Sequence, residues 1–237
     1  MKEQILVYDG LQHCPYRPGQ VARMPLYRQL KPLTPQQADE RFAKSERRIG
    51  TGLYYTQCPT CSACQGIRIP VAEFTPSRSQ RRVLGRWKDR YRIEMGDPTW
   101  SNDKIEMFNR HKSERNLKQE NDEDMTALGY FGWLINSCIP TVEMRYFVDE
   151  RLVGVGLVDI GAKAASSVYF YFDPTPEISR LSPGVFSTLQ EIEFCKKTGR
   201  DWLYLGLYVE DCSRLSYKGN YFPHDRSIDG QWERFTG

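Results

Sequence analysis

No stretch of the sequence approaches the ~18 consecutive apolar residues a membrane-spanning helix needs. The opening MKEQILVYDG lacks the apolar centre of a secretory leader. Internal repeats and low-complexity tracts are absent, which sets aside repeat architectures. Net charge is only +3, so bulk charge makes no case for nucleic acid. Seven cysteines are an odd number, and a reducing cytosol keeps them as thiols, so a disulfide framework is not expected. These absences lead us to expect a cytoplasmic protein with no membrane partner. What is present is ordinary globular material: 237 residues, 40% hydrophobic and 13% aromatic, enough for one large domain or two small ones around a buried core.

The cysteines are unevenly spent. CPTCSACQG, residues 58–66, holds Cys58, Cys61 and Cys64 in a C-x2-C-x2-C spacing, and Cys14 in LQHCPYRPG lies in a Pro/Gly-rich turn. Such spacing lets thiolates converge on one centre, a tetrahedral zinc or an iron–sulfur cluster, and does not choose between them. His13 is a substitute ligand. Buried free thiols acting as small hydrophobes are the plainer alternative, but Pro59, Thr60, Ser62 and Ala63 read as a tight polar knuckle. Cys138, Cys195 and Cys212 have no partner spacing, and Cys195 reads as core.

Charge is uneven too. SRSQRRVLGRWKDRYR, residues 77–92, carries Arg78, Arg81, Arg82, Arg86, Lys88, Arg90 and Arg92 against Asp89 alone. Val83, Leu84, Trp87 and Tyr91 recur at about helical spacing, which predicts one helix with an apolar stripe and a basic surround. A solvated face is the usual meaning of a charge run. One so lopsided suits phosphate, which an arginine fork grips with two N–H donors. The compensating acid lies in QENDEDM, 119–125, expected as an exposed loop.

The second half reads as α+β. TVEMRYFVDERLVGVGLVDIG alternates like a hairpin turning at Asp149-Glu150-Arg151, and SSVYFYFDP (166–174) is a further strand. GVFSTLQEIEFCKKTG (184–199) is a helix closed by lysines and Gly199, and WLYLGLYVE (202–210) returns as a strand. The expected fold is a small Cys-bearing N-terminal domain (1–95, including the basic helix) followed by an acetyltransferase-like (GNAT-type) domain (96–237) with a mixed, mostly antiparallel sheet. Coenzyme A folds of this kind hold pyrophosphate on a Gly-rich turn at a helix N-terminus. Here that turn is Ser179-Arg180-Leu181-Ser182-Pro183-Gly184, where Pro183 removes a donor and Gly184 is the only glycine, so coenzyme A is disfavoured.

CPYRPGQ, GLYYTQCPTCSACQGIRIPVAEFTPSRSQRR, DIGAKAASSVYFYFDP, RLSPGVFSTLQEIE, YLGLYVEDCSRLSYKGNYFP and DGQW together resemble the aminoacyl-tRNA–protein transferase family, in order from about residue 14 to 232. The resemblance implies two domains and transfer of an amino acid from charged tRNA to a protein N-terminus, which marks that protein for degradation. CPYRPG and the chain length are more similar to the compact bacterial branch, which implies leucine as donor and N-terminal Asp or Glu as acceptor. Arginyl transfer to the same acceptors is the alternative, and a non-catalytic tRNA-binding metal module is a third. DNA is not expected as a partner.

The chemistry needs little beyond the two substrates. An aminoacyl ester is already activated, so no cofactor is expected for the transfer itself. The attacking α-amine has an ordinary pKa of about 8 and must be neutral. The site then supplies alignment, a sink for one proton and donors for an oxyanion. Asp159, Tyr169, Tyr208 and Lys218 are the candidate catalytic residues; Tyr171, Tyr204 and Glu191 are candidates for the aminoacyl pocket. Arg78 and Lys218 are candidates for the acceptor carboxylate, and Arg78, Arg81, Arg82, Arg86 and Lys88 for the tRNA backbone. The metal, if present, is expected to be structural or redox-sensitive, held by Cys14, Cys58, Cys61 and Cys64 and remote in role from the transfer. Each has a plain counterpart: a surface ion pair, a strand-end cap, ordinary tyrosine packing or a helix-interface acid.

Overall fold

The structure, a computed structural model, describes residues 3–118 and 122–237. The chain begins with short strands β1 (Gln4–Tyr8), β2 (Leu11–His13), β3 (Val21–Arg23) and β4 (Leu26–Gln29), then α1 (Pro35–Ala43), β5 (Arg47–Ile49), β6 (Gly52–Tyr54) and β7 (Gln65–Pro70). Next come α2 (Arg78–Trp87), β8 (Tyr91–Gly96), α3 (Asn102–Glu114), α4 (Ala127–Tyr130), and the long strands β9 (Thr141–Val148), β10 (Arg151–Ile160) and β11 (Ala164–Phe172). The chain closes with α5 (Pro176–Ser179), α6 (Pro183–Lys197), β12 (Trp202–Tyr208), α7 (Ser213–Ser216), β13 (His224–Ile228) and β14 (Gln231–Phe235).

Eight strands form one sheet in the order β14-β13-β7-β12-β11-β10-β9-β8, antiparallel throughout except where β11 meets β12. Two small sheets, β1-β4-β6-β5 and β2-β3, stand apart from it. The mixed α+β reading with a large, mostly antiparallel sheet therefore holds. The expected boundary at residue 95 coincides with no break in that sheet. β7 lies near its middle and β8 at its edge, because the alternating apolar residues of QGIRIP find pairing partners only in strands from the far end of the chain.

The β9–β10 hairpin turns at Asp149 and Glu150, both left-handed (φ 48° and 62°), as a tight two-residue turn requires. α6 covers one face of the sheet and buries Phe186, Leu189, Ile192 and Cys195. α2 packs beside it, the Trp87 ring stacked on Phe186 with centroids 4.2 Å apart. On the opposite face, Phe108 of α3 and Tyr130 of α4 pack on Val155, Leu157 and Tyr171. Among the described residues no helix is long and apolar enough to cross a membrane.

Helix α2 is shorter than the sequence predicts. A Ser77/Gln80 capping box starts it, and it stops at Trp87. Asp89 is left-handed (φ 63°), and Tyr91–Gly96 pairs with β9 as the sheet's edge. Sheet pairing and the edge contact of Tyr91 on Phe186 outweigh one further helical turn. Of the acidic QENDEDM stretch, residues 119–121 lie outside the described residues; Asp122 and Asp124 are exposed and pair with Lys112 and Lys118.

His111 of α3 is buried, its Nδ1 accepting the Phe172 amide at 3.2 Å; burial and then Arg115 pull its pKa from 6.5 to about 4. The unfolded chain takes up this proton before the folded one does. The stability it contributes is thus full above pH 6.5 and is lost as pH falls toward 4, on the order of 3 kcal/mol at most. Urea midpoints of the wild type should fall across that window, and His111→Asn should flatten part of the slope; equal slopes would refute this.

Candidate active site

β11 and β12 run parallel for only three residue pairs, Ala164–Ser166 against Trp202–Tyr204. Beyond them the strands part: β11 continues on β10 alone and β12 on β7 alone. Two cations stand against backbone carbonyls of the parted strands. Arg47 of β5 donates from Nη1 to Ser166 Oγ (3.0 Å) and from Nη2 to the carbonyls of Ser167 (2.8 Å) and Val168 (3.4 Å). Lys218 donates from Nζ to the Leu207 carbonyl on the other arm (2.8 Å). Gly206 (φ +85°) makes room: a Cβ there would lie 2.7 Å from the Arg47 Cζ.

A cavity of about 1000 Å³ fills the fork. Its apolar wall includes Phe170, Val185, Leu205 and Leu207, and its cations are Arg47, Arg48, Arg115, Arg214 and Lys218. Among the described lining residues Glu191 is the single carboxylate. It is fully buried on α6, with Oε1 accepting from Ser187 Oγ (3.3 Å) and Ser167 Oγ (3.4 Å), and Oε2 has no hydrogen-bond partner. Burial raises its pKa from 4.5 to about 7, while burial and then Arg47 pull the Lys218 ammonium from 10.5 to about 7. Burial also pushes the Tyr169 hydroxyl on the same wall up to about 12. The cavity is a mostly cationic pocket with one weakly acidic carboxyl, suited to an anionic group and an amine brought together.

Residues 12–82 match the family model described as Arginine-tRNA-protein transferase, N terminus, and residues 103–228 match the one described as Arginine-tRNA-protein transferase, C terminus. The chain belongs to the aminoacyl-tRNA–protein transferase family. A relative named Aspartate/glutamate leucyltransferase from Aeromonas hydrophila subsp. hydrophila is 35% identical over 79% of this chain and 76% of its own. One of the same name from Vibrio cholerae serotype O1 is 27% identical over 92% of each. Among solved structures, that of L-PGS from Bacillus licheniformis aligns with 62% of this chain and 45% of its own at 11% identity, with a TM-score of 0.45.

Within this family member, Tyr169, Glu191 and Lys218 come together on the cavity wall, and four other expected residues do not. Asp159 is held by the Arg48 Nε at 2.8 Å and the Thr141 hydroxyl at 2.7 Å, with side chains of the ion pair 1–2% exposed. It is an internal counter-ion, because β10 carries it beneath β5 and not toward the fork. Tyr171 points into the α3 cluster, its hydroxyl 2.6 Å from that of Tyr130. Tyr204 accepts from Arg68 Nη1 (3.1 Å) and packs on Phe42 and Trp232, while the Tyr208 ring lies under Arg226. Alternation along a strand could not tell these faces apart.

The basic helix lies outside the cavity. Arg78, Arg81, Arg82, Arg86 and Lys88 are exposed and have no ion pair among the described residues, whereas Arg90 pairs with Asp149 and Arg92 with Glu94 and Glu150. Arg78 therefore stands at the start of α2 and not among the cavity cations. Arg86 reaches the rim: its Nη1 donates to the Arg180 carbonyl (3.0 Å) and to Ser182 Oγ (3.2 Å), and Ser182 lines the cavity. Sequence reasoning missed Arg47, Arg115 and Arg214. Arg47 sits in SERR, which reads as surface.

The cysteine loop is nearer the cavity than expected. Tyr16, two residues from Cys14, lines the wall. Arg17 pairs with Asp211 (2.8 Å) and donates to Cys61 Sγ (3.3 Å), and Arg214 donates to the Pro15 carbonyl (2.7 Å). The Cys64 thiol is pushed up to about 12, first by burial and then by Cys14, Cys58 and Cys61, so the four sulfurs share one neighbourhood. An all-thiol set has the chemistry of a zinc or iron–sulfur site. Yet among the described residues no group of three or more His, Cys, Asp or Glu side chains stands in a metal-holding arrangement. Backbone and Arg17 hydrogen bonds pull the Cys61 thiol below its ordinary range.

Because Asp159 is a buried counter-ion, Asp159→Ala leaves Arg48 uncompensated. The expected loss is about 3–5 kcal/mol of stability in urea unfolding, with transfer by the remaining folded enzyme retained. Loss of transfer at unchanged stability would return Asp159 to the chemistry.

Proposed function

We propose that this protein transfers leucine from Leu-tRNA to the α-amine of proteins beginning with Asp or Glu, in the cytoplasm, so that the product carries a degradation signal. The observation that carries this reading is the fork cavity, whose cations and apolar wall meet the needs of both substrates. Arg47 and Lys218 on its two arms, with Arg115 and Arg214, can receive the acceptor's side-chain carboxylate; none of the four has an ion pair among the described residues. Phe170, Val185, Leu205 and Leu207 offer the apolar wall a leucyl side chain needs. The curated relatives bear the name of this activity over most of the chain.

The exposed cations of α2 are the dock for the acceptor stem, since arginine forks match phosphate oxygens and release counter-ions on contact. Arg86 carries that face to the rim. The ester needs no further activation, so alignment within the fork supplies much of the rate, up to ~7–11 kcal/mol for well-placed reactants. Cys14, Cys58, Cys61 and Cys64 would hold a zinc ion or an iron–sulfur cluster that fixes the loop behind Tyr16. Metal analysis of protein purified without oxygen should give about one zinc, or iron with sulfide, lost in Cys58→Ala; metal-free, stable protein would end that part of the proposal.

Transfer tests the whole reading. Asp-initiated and Ala-initiated peptides are each offered labelled Leu-tRNA or Arg-tRNA, and label should pass from Leu-tRNA to the Asp peptide alone. Arg-tRNA is included because an arginyl side chain needs a buried acid, and Glu191 is the one carboxylate among the described residues on the wall. No transfer from either donor, with tRNA still bound, would leave an RNA-binding module. Affinity for tRNA should fall steeply with salt, and Arg82→Ala should reduce the slope of log affinity on log salt by about one.

A further inference from the structure

Transfer needs a group to take the proton from the acceptor's α-ammonium, and Asp159, the residue whose strand-end position suggests it, is locked in a buried ion pair with Arg48 and is not among the described residues lining the cavity. We propose that Glu191 is the proton acceptor for the attacking α-amine, an inference that rests on the transferase reading above. Three observations carry it. Glu191 is the single carboxylate among the described residues lining the cavity. Only one of its oxygens is bound, by two serine hydroxyls, and Oε2 is buried with no partner. Among the described residues it forms no ion pair in an otherwise cationic pocket, and the open oxygen has no partner there.

The groups that face it are few and named. Arg47 of β5 favours its charged form, while Tyr146 of β9, Tyr217 and Tyr221 after α7, and Cys195 one turn along α6 lie near it as neutral groups without a hydrogen bond to it. Burial then places the carboxyl near 7, close to the ~8 of an α-ammonium, so the proton passes between groups of matched affinity.

The step balances. Glu191 carboxylate takes one proton from the ammonium, and the freed amine adds to the ester carbonyl. The C–N bond forms, and the bond from carbonyl carbon to the tRNA ribose oxygen breaks. The second amine proton goes to that ribose oxygen, giving a hydroxyl, and the proton on Glu191 leaves to solvent. Net, one ammonium and one ester become one amide, one alcohol and one proton.

The deciding experiment is single-turnover transfer at saturating Leu-tRNA from pH 5.5 to 9.5. The wild-type rate should rise through about 7 and level above it, because Glu191 must be ionised to act. Glu191→Gln, nearly isosteric, should lose ~100-fold or more, and its residual rate should follow the acceptor amine's own ionisation near 8. Ser187→Ala removes a hydroxyl that favours the carboxylate, so it should move the wild-type limb to higher pH while keeping the carboxyl. Thermal melting and tRNA binding of each variant report folding. Transfer by Glu191→Gln within threefold of wild type on the same limb would overturn the assignment. So would a defect confined to Leu-tRNA binding, which would make Glu191 the anchor of the donor's own ammonium. An unshifted limb in folded Ser187→Ala would also overturn it. A wild type that transfers nothing refutes the transferase reading instead.

Discussion

A parallel strand pair that comes apart after three residues leaves backbone carbonyls with no ladder partner, and buried carbonyls must be satisfied. The fork between β11 and β12 meets that demand with cations from distant parts of the chain. Arg47 crosses over Gly206 to reach Ser167 and Val168, and Lys218 returns from beyond α7 to reach Leu207. The cavity, its positive field and the isolation of Glu191 all follow. A closed ladder at this point would have left no cavity, and a cofactor bridging the arms would have left no place for the two side chains. The chain therefore fills the opening of the fork with its own side chains.

Much of the fold was legible because its pattern is local. Strands β9 to β12 show themselves by alternation and turn residues, and α6 by its apolar period and lysine-rich end. The end of α2 was not legible: Tyr91 continues the helical spacing of Val83 and Trp87, and only pairing with β9 shows that it belongs to a strand. The site was legible in part. Glu191, Lys218 and Tyr169 are chemically suggestive residues that do line the cavity. Tyr171, Tyr204 and Asp159 are equally suggestive and are taken up by Tyr130, Arg68 and Arg48, partners 41 to 136 positions away in sequence and invisible to spacing. Arg47 escaped notice for the same reason, since its polar neighbours read as surface and its contacts lie 119 and 120 residues on.

The N-terminal cysteine loop is tied to the cavity at several points. Tyr16 forms wall, Pro15 receives Arg214, and Arg17 bridges Cys61 to Asp211 just ahead of α7. Lys218 follows α7 within a few residues. The loop and the Lys218 arm of the fork are in this way parts of one surface. The cysteine loop thus contributes to the cavity wall through Tyr16 and its contacts with Arg214 and Asp211.

Arg86 uses one guanidinium nitrogen to hold the Arg180 carbonyl and the Ser182 hydroxyl, at the turn that leads into α6. A backbone phosphate at the dock proposed on α2 would compete for those same N–H groups. Ser182 is left-handed (φ 59°), with no side-chain hydrogen bond capping the helix that carries Glu191. If α2 is the dock proposed above, docking would act on the chamber through the start of the helix that carries Glu191.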